Sequence, residues 1–347
     1  MAAPYATVIV DTFNHQDFIE NALTSVLNQT FSRRSFEIIV VDDGSTDQTP
    51  EILETFGPQI RLLRKPNGGQ ASAFNAAIPL AAGEIVAFLD GDDWWAPDKL
   101  SCVIAAFERD HGLGVVGTGM YEVTDSAQTT VAPNSDVHVT LTSFEDATVF
   151  RKRMSFFGTS RVAMRREVLQ LVGAIPNSLI IEADEYMSTV AIAKSRALIL
   201  RQPLTFYRLH SANLYQFHDS DPQKIRRKVQ VLHDLSCELV RELPKVLPTE
   251  AVQALVKPIE LEATCLRLSV DGGKRRETFE AELASMKLNL QKANWKYLLF
   301  KLVVLGITLI LPPKLFYKAR SFYAKKKLAR VREWITARGA QRPLEQR

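Results

Sequence analysis

Cysteine is scarce in this chain of 347 residues. Cys102, Cys237 and Cys265 lie far apart and show no metal-ligand spacing. They read as buried or inert thiols in a reducing compartment. The N-terminus lacks a basic stretch followed by an apolar run. Val8, Ile9 and Val10 are too few for a signal peptide, so export is not expected. No internal repeat and no low-complexity tract interrupts the chain, and no Ser or Cys nucleophile motif stands out. With 46% apolar and 24% charged residues, disordered and collagen-like readings are excluded as well. The length suits one large α/β domain plus an accessory region.

Charge is also unevenly spread. The net charge is +4, yet residues 314–347 hold eleven Lys/Arg against Glu333 and Glu345, a net +9, which leaves −5 for the rest. A basic tail on a mildly acidic body predicts a polyanionic surface as partner of the tail alone.

What is present first is alternation. Residues 6–10, 36–41, 60–63 and 85–89 are short apolar, β-branched runs of the kind a strand buried on both faces produces. Helical spacing separates them: Phe18, Ile19, Ala22, Leu23, Val26 and Leu27, then a helix capped by Thr46 or Asp47, then the alanine-rich residues 71–82. Strands alternating with helices call for a mostly parallel sheet. A helix to about residue 110 follows Pro97, residues 115–123 and 198–207 look like further strands, and the chain from Pro222 to about residue 294 turns helical and charged.

In such sheets ligands bind at the carboxyl ends of the strands. Each of the four runs ends in polar or glycine-rich residues: Asp11-Thr12-Phe13-Asn14, Asp42-Asp43-Gly44-Ser45, Lys65-Pro66-Asn67-Gly68-Gly69-Gln70 and Asp90-Gly91-Asp92-Asp93. The last is the sharpest. Three carboxylates just beyond a buried strand repel one another unless a cation neutralises them, and carboxylate oxygens suit Mg²⁺ or Mn²⁺. The alternative is a solvated acidic turn. Asp42 and Asp43 suit a base N–H or a ribose hydroxyl, whereas Asp47 reads as a helix cap. Gly69-Gln70 opens a helix whose N–H groups suit a diphosphate, or is a plain glycine turn.

Taken together and in order, segments 8–31, 40–49 (VVDDGSTDQT), 65–78, 83–100 (GEIVAFLDGDDWWAPDKL) and 203–213 (PLTFYRLHSAN) resemble glycosyltransferase family 2, the inverting enzymes of GT-A fold. The likeness runs from Thr7 to about His210. Asp11 departs from it, because many members carry proline there. The resemblance implies an α/β, GT-A domain over 1–215: a Rossmann-like, mostly parallel central sheet with flanking helices, its nucleotide-binding half about 1–100 and its acceptor half about 101–215. A helical accessory region (216–294) and an apolar, basic segment (295–347) would follow.

The same likeness implies roles. Asp43 or Asp42 holds the base and ribose, with Thr12, Asn14, Lys65, Gly69 and Gln70 on the same nucleotide rim. Asp90 meets the donor's ribose or sugar, and Asp92 ligates the metal. Arg208 and His210, on the distal Tyr207-Arg208-Leu209-His210 string, reach the pyrophosphate or the metal, His210 as a further ligand. The general base is expected in Glu182-Ala183-Asp184-Glu185. Many members read Glu-Asp there and this chain reads Ala183-Asp184, which makes Asp184 the base and Glu185 its alternative. Glu182, Glu185 and His210 also have bland readings as surface charges. Trp94 and Trp95 read as packing, one of them a possible wall of the sugar site.

The expected activity is therefore transfer of a sugar from a UDP- or GDP-sugar to a hydroxyl acceptor, a lipid-linked or cell-envelope glycan, with Mn²⁺ or Mg²⁺ as cofactor. Transfer to polyprenyl phosphate and a non-catalytic nucleotide-binding protein are the alternatives. A nucleotidyltransferase would carry a Gly-rich loop with Arg/Lys where this chain reads Asp11 to Asp17.

Residues 298–311 form a 14-residue apolar run broken among charges only by Lys301. At about 1.5 Å per residue it falls short of the roughly 30 Å hydrocarbon core, and Pro312-Pro313 stops it. An interfacial helix fits better than a spanning one, flanked by Trp295, Tyr297, Phe316, Tyr317 and Tyr323 and followed by Lys325, Lys326 and Lys327. A core or dimer-interface helix is the competing reading. The adjacency of apolar run and basic tail favours anionic lipid over nucleic acid, so the cytoplasmic face of the cell membrane is the expected seat and no nucleic acid is expected.

Overall fold

The computed structural model describes residues 4–32, 35–210, 221–289 and 295–320. Residues 211–213 of the distal segment, Tyr323, and most of the basic tail lie outside the described residues. By contact the chain divides into two units, residues 1–219 with 231–257 and residues 220–230 with 258–347. The stretch 216–294, expected as one helical region, is thus shared between them.

The first unit is built on one mixed sheet. Its first strands are β1 (Ala6–Thr12), β2 (Phe36–Asp42), β3 (Arg61–Arg64) and β4 (Ile85–Asp90), all parallel in the order β3-β2-β1-β4. Val8, Ile9, Val10, Ile39, Val40 and Phe88 have no exposed surface, because helices cover both faces. Helix α1 (Ile19–Leu27) buries Ile19, Ala22, Leu23 and Val26, the one-sided stripe its spacing dictates. Helix α2 (Thr49–Thr55) starts later than expected: Gln48 stands at its cap, and Asp47 accepts the Thr49 N–H at 2.9 Å. Helix α3 (Gln70–Ala77) ends before Pro79, where a tight helical turn over Ile78–Leu80 replaces the longer helix read from alanine content.

Beyond β4 come the two-residue β5 (Trp94–Trp95), α4 (Lys99–Arg109), β6 (Leu113–Val123), β7 (Gln128–Val131), β8 (Val137–Val139) and α5 (Phe144–Arg151). They are followed by β9 (Val162–Arg165), α6 (Arg166–Val172), α7 (Ala183–Ala193) and β10 (Arg196–Arg208). The sheet continues β4-β9-β6-β10-β5. β6 and β10 are parallel, but β9 runs antiparallel to both β4 and β6 and joins the halves.

Helices α8 (Pro222–Glu242), α9 (Thr249–Val270), α10 (Arg275–Asn289) and α11 (Trp295–Ile310) follow. The second unit has its own small core of Leu268, Ala281, Phe316 and Tyr317.

Candidate active site

Because β1, β2, β3 and β4 are parallel, their carboxyl ends share one rim. The register sets Asp11 beside Asp90 and Thr12 beside Asp42. Two loops of the rim are laced together. Asn14, held at φ +56°, donates its N–H to Ser45 Oγ at 2.9 Å and accepts the Thr46 N–H on Oδ1 at 2.8 Å. The Gln16 N–H goes to Asp47 Oδ2 at 3.1 Å.

The expected nucleoside acids turn inward. Asp42 and Asp43 are 3% and 4% exposed. Asp42 Oδ1 accepts the Ser45 N–H at 2.9 Å. Asp43 is gripped by Lys65 Nζ and by the N–H groups of Gly68 (3.1 Å) and Gly69 (2.7 Å). Its oxygens are used in shaping the turn that opens α3, since a carboxylate offers about four acceptor sites. Gly69 is required there: φ is +80° and a Cβ would lie 2.6 Å from Ile180 Cα.

The helix start proposed for a diphosphate is likewise engaged. The Gln70 N–H goes to Ile180 O (3.0 Å) and the Ala71 N–H to Leu179 O (3.3 Å). Gln70 itself spans to other elements, donating to Thr159 Oγ1 at 3.0 Å and accepting the Ala183 N–H at 3.1 Å. These residues build the rim, and the first two N–H groups of α3, read from the sequence as facing a diphosphate, are bonded within the protein.

The acidic turn after β4 does face its expected partners. Asp90, Asp92 and Asp93 bring ligand oxygens within 4.8 Å of one another. Asp92 Oδ2 lies 3.0 Å from His210 Nε2 and 4.0 Å from His15 Nε2. Arg208 closes the turn from β10, giving its N–H to Asp93 Oδ1 and its Nε–H to Asp92 O, both at 2.9 Å. Its guanidinium lies over the Trp94 ring at 4.4 Å and the Phe18 ring at 4.9 Å. Trp94 also stacks on Phe206 at 5.0 Å, while Trp95 is buried.

Crowding of carboxylates shows in their protonation. Burial, then the charge of Asp92, pushes Asp11 up to about 8. Burial and Asp92 push Asp93 up to about 7. Burial, then Asp11, Asp92 and Asp93, holds Asp90 well above the usual range. Burial is the largest single influence on Asp92 and works against its ionisation, but the His210 hydrogen bond, the charges of His15 and His210 and a backbone hydrogen bond together outweigh it, and the carboxyl sits below its usual value. Asp11 Oδ1 and Asp93 Oδ2 are buried with no hydrogen-bond partner. Three carboxylates this close, with one orphaned oxygen among them on Asp93 and another on the neighbouring Asp11, fit a hard divalent cation.

Asp184 stands at the start of α7. Its Oδ2 accepts both the N–H (3.0 Å) and the hydroxyl (3.2 Å) of Thr159, and Oδ1 accepts the Glu185 N–H at 2.8 Å. The next residue, Ser160, exchanges bonds with Asp90: the Asp90 N–H goes to Ser160 Oγ at 3.0 Å, and Ser160 Oγ to Asp90 Oδ2 at 3.3 Å. Two adjacent residues therefore tie the acidic turn to Asp184. Glu185, the alternative base, is paired with Arg151. Glu182 is buried at φ +65°, the cap of α7.

The Thr159-Ser160 link is clamped from below. Ser160 O accepts from Lys99 Nζ (2.7 Å), Trp95 Nε1 (2.9 Å) and Thr205 Oγ1 (2.9 Å). Lys99 is fully buried, and also donates to Thr205 Oγ1 at 2.7 Å and Thr118 Oγ1 at 3.4 Å. Burial, then Arg161, drives its ammonium well below the usual lysine value, with Asp93 opposing. Sequence reasoning missed Asp11, His15, Lys99, Thr159 and Ser160. Only Asp11 carried a signal, its departure from proline.

Residues 7–173 match the family model described as Glycosyl transferase family 2. An uncharacterized glycosyltransferase of Nostoc sp. is 33% identical over 60% of this chain and 65% of its own length. The poly(ribitol-phosphate) beta-N-acetylglucosaminyltransferase TarS of Staphylococcus aureus is 37% identical over 30% of this chain and 19% of its own. The match thus spans less than two thirds of either relative. The solved structure of TarS 1-349 with UDP-GlcNAc is 20% identical, with a TM-score of 0.58 over 81% of this chain and 86% of that one. The mannosyltransferase PcManGT of Pyrobaculum calidifontis, solved with GDP-Man and Mn²⁺, is 21% identical, with a TM-score of 0.52 over 93% of this chain and 85% of that one. At such identities the two structures show the shared GT-A fold. Residues 7–173, just under half of this chain, are thus a glycosyltransferase family 2 segment.

Proposed function

We propose that this chain transfers a glycosyl group from a nucleoside-diphosphate sugar to a hydroxyl of a glycan or lipid-linked acceptor, with inversion at the anomeric carbon. The observation that carries the reading is the run Asp90–Ser160–Thr159–Asp184, which holds a cation-binding acidic turn in fixed relation to a second carboxylate. Asp184, unlike Glu185, forms no ion pair among the described residues, which favours it as the base.

Asp184 takes the proton of the acceptor hydroxyl while that oxygen attacks the anomeric carbon. One C–O bond forms, the bond to the diphosphate breaks, and the nucleoside diphosphate leaves. Asp92, with Asp90, Asp93 and His210 around it, would hold Mg²⁺ or Mn²⁺, which when bound neutralises charge on the departing diphosphate. Arg208, fixed by Asp92 O and the Trp94 ring, adds a positive charge at the same end. Thr159 keeps Asp184 oriented by two hydrogen bonds to Oδ2, and Oδ1, which accepts only the Glu185 N–H, keeps a lone pair to receive the proton.

The partners named in the solved structures, UDP-GlcNAc and GDP-Man with Mn²⁺, support a UDP- or GDP-sugar donor and a divalent cation. The poly(ribitol-phosphate) acceptor in the name of TarS supports a polymeric cell-envelope acceptor. The test is thermal stabilisation by a panel of UDP- and GDP-sugars with Mn²⁺, followed by an assay of nucleoside-diphosphate release. A cognate donor at a hundred times its dissociation constant adds about 2.7 kcal/mol. If no donor raises the melting temperature and none is turned over, the reading fails.

A further inference from the structure

Helix α11 is apolar almost all round, yet only one side of it is packed. Lys301, Leu305 and Thr308 face inward at spacings of four and three, onto α10. The other side carries Leu299, Phe300, Leu302, Val303, Leu309 and Ile310, each more than half exposed. Contiguous apolar surface of this kind marks an interaction site.

The single charge that interrupts the run is turned away from that surface. Lys301 Nζ reaches Glu282 Oε2 at 3.1 Å and Ser285 Oγ at 3.3 Å, and Glu282 is wholly buried and also engages Arg320. Lys301 is neutralised inside the unit, and the outer face is unbroken. Cations rim the end of that face. Arg275 is exposed and bonds Leu309 O at 3.5 Å, and Lys314 and Lys318 are exposed just beyond the helix. The chain then continues into Lys325-Lys326-Lys327.

We infer that the outer face of α11 lies in the surface of a bilayer carrying anionic headgroups, with Arg275, Lys314 and Lys318 against the headgroups. No helix among the described residues is long and apolar enough to cross a membrane, so α11 lies in the interface with its exposed side down. A second copy of the chain suits the face poorly, because pairing through α11 would bring the exposed cations Arg275, Lys314 and Lys318 of two copies towards one another. The inference stands apart from the transferase reading: sugar transfer in solution by a chain that ignores vesicles would refute this inference and leave that one intact.

The test floats the full chain, without detergent, with vesicles of phosphatidylcholine alone or with about one third phosphatidylglycerol. The wild type is expected to float with the anionic vesicles. Leu302→Asp/Leu309→Asp lowers partitioning roughly tenfold or more, while Leu171→Asp, an exposed leucine of α6, leaves it unchanged. Lys314→Glu/Lys318→Glu lowers it severalfold on anionic vesicles only. Ile310→Gln, the mildest change at the most exposed of these positions, serves if the double variant loses its cooperative melt. The inference is overturned if the full chain stays unbound with anionic vesicles. It is also overturned if the apolar-face variants float like the wild type, or if ultracentrifugation shows a dimer that they dissociate.

Discussion

Lys99→Met separates what holds the fold from what aligns the site. The wild-type ammonium is fully buried and makes three hydrogen bonds, to Ser160 O, Thr205 Oγ1 and Thr118 Oγ1. Methionine is close in length and apolar. Each acceptor it abandons keeps another partner: Ser160 O retains Trp95 Nε1, Thr205 Oγ1 still donates to Ser160 O, and Thr118 Oγ1 still donates to Arg161 O. No polar atom is orphaned, so the usual cost of about 1–3 kcal/mol for a stranded group does not arise. Against the lost bonds stands the removed desolvation of a buried cation, itself several kcal/mol, so the two largely cancel and little stability is lost. The sign of the pH effect follows. A lysine whose folded pKa is depressed binds fewer protons folded than unfolded, so the wild type gains stability as pH rises from the depressed value towards 10.5, and Lys99→Met loses that slope. Its stability relative to wild type is therefore greatest on the acidic side. Activity should fall, because Ser160 then hangs on two donors and carries Asp90 and Thr159 with it. A loss of roughly ten- to a hundredfold in kcat with little change in KM corresponds to about 1.4–2.7 kcal/mol. Urea melts at two pH values and steady-state nucleoside-diphosphate release measure both. A variant destabilised by more than about 3 kcal/mol, with normal kcat per folded molecule, would refute the reasoning.

Asp92→Asn should leave the urea midpoint within about 1 kcal/mol of wild type and abolish both transfer and the Mn²⁺-dependent rise in melting temperature; a retained Mn²⁺ response would move the metal site elsewhere. Asp184→Asn should bind donor normally and fail to transfer. Glu185→Gln breaks the pair with Arg151, so it should cost stability while keeping turnover, and the reverse pattern would pass the base role to Glu185. Gly69→Ala forces a left-handed residue and a 2.6 Å contact with Ile180 Cα, and should cost more than about 2 kcal/mol in a urea melt. Asp11, raised from 3.8 to about 8, binds more protons folded than unfolded, so its contribution is present below about pH 4 and is lost as pH rises to about 8. Asp11→Asn should flatten the fall in melting temperature across that window when no metal is added, and an unchanged slope would show that Asp11 does not titrate there.

The parallel half of the sheet was legible because burial on both faces writes an unbroken apolar run, as in residues 36–41 and 85–89. β9 was not legible: Val162–Arg165 is four residues long and runs straight into α6, so its apolar pattern could equally begin a helix. The two-residue β5 left no pattern at all. Among site residues, Asp90, Asp92, Arg208 and His210 stand where strand ends predict them. Asp43 faces the loop after β3, and no sequence pattern separates a turn carboxylate that meets solvent from one that meets the N–H groups of Gly68 and Gly69, some 25 residues on. Lys99 looked like an ordinary helix charge. Its burial follows from a neighbour distant in sequence, the Ser160 carbonyl, which periodicity along α4 cannot reveal.

The antiparallel strand between the halves bears on how substrates enter. β9 pairs with β4 from Ile85↔Arg165 to Ala87↔Ala163 and with β6 from Val115↔Met164 to Gly117↔Val162. A jaw-like swing of the β1–β4 side against the β6–β10 side would have to shear both ladders in the middle of a buried sheet. Packed cores of this kind switch between discrete arrangements and do not bend continuously. The connections on the rim are tied across as well: Asn14 and Gln16 before α1 bond the loop after β2, and Leu179 and Ile180 before α7 accept from the first N–H groups of α3. Thr159 and Ser160, which link Asp184 to Asp90, stand just ahead of β9, so the strand that resists the swing also anchors that link.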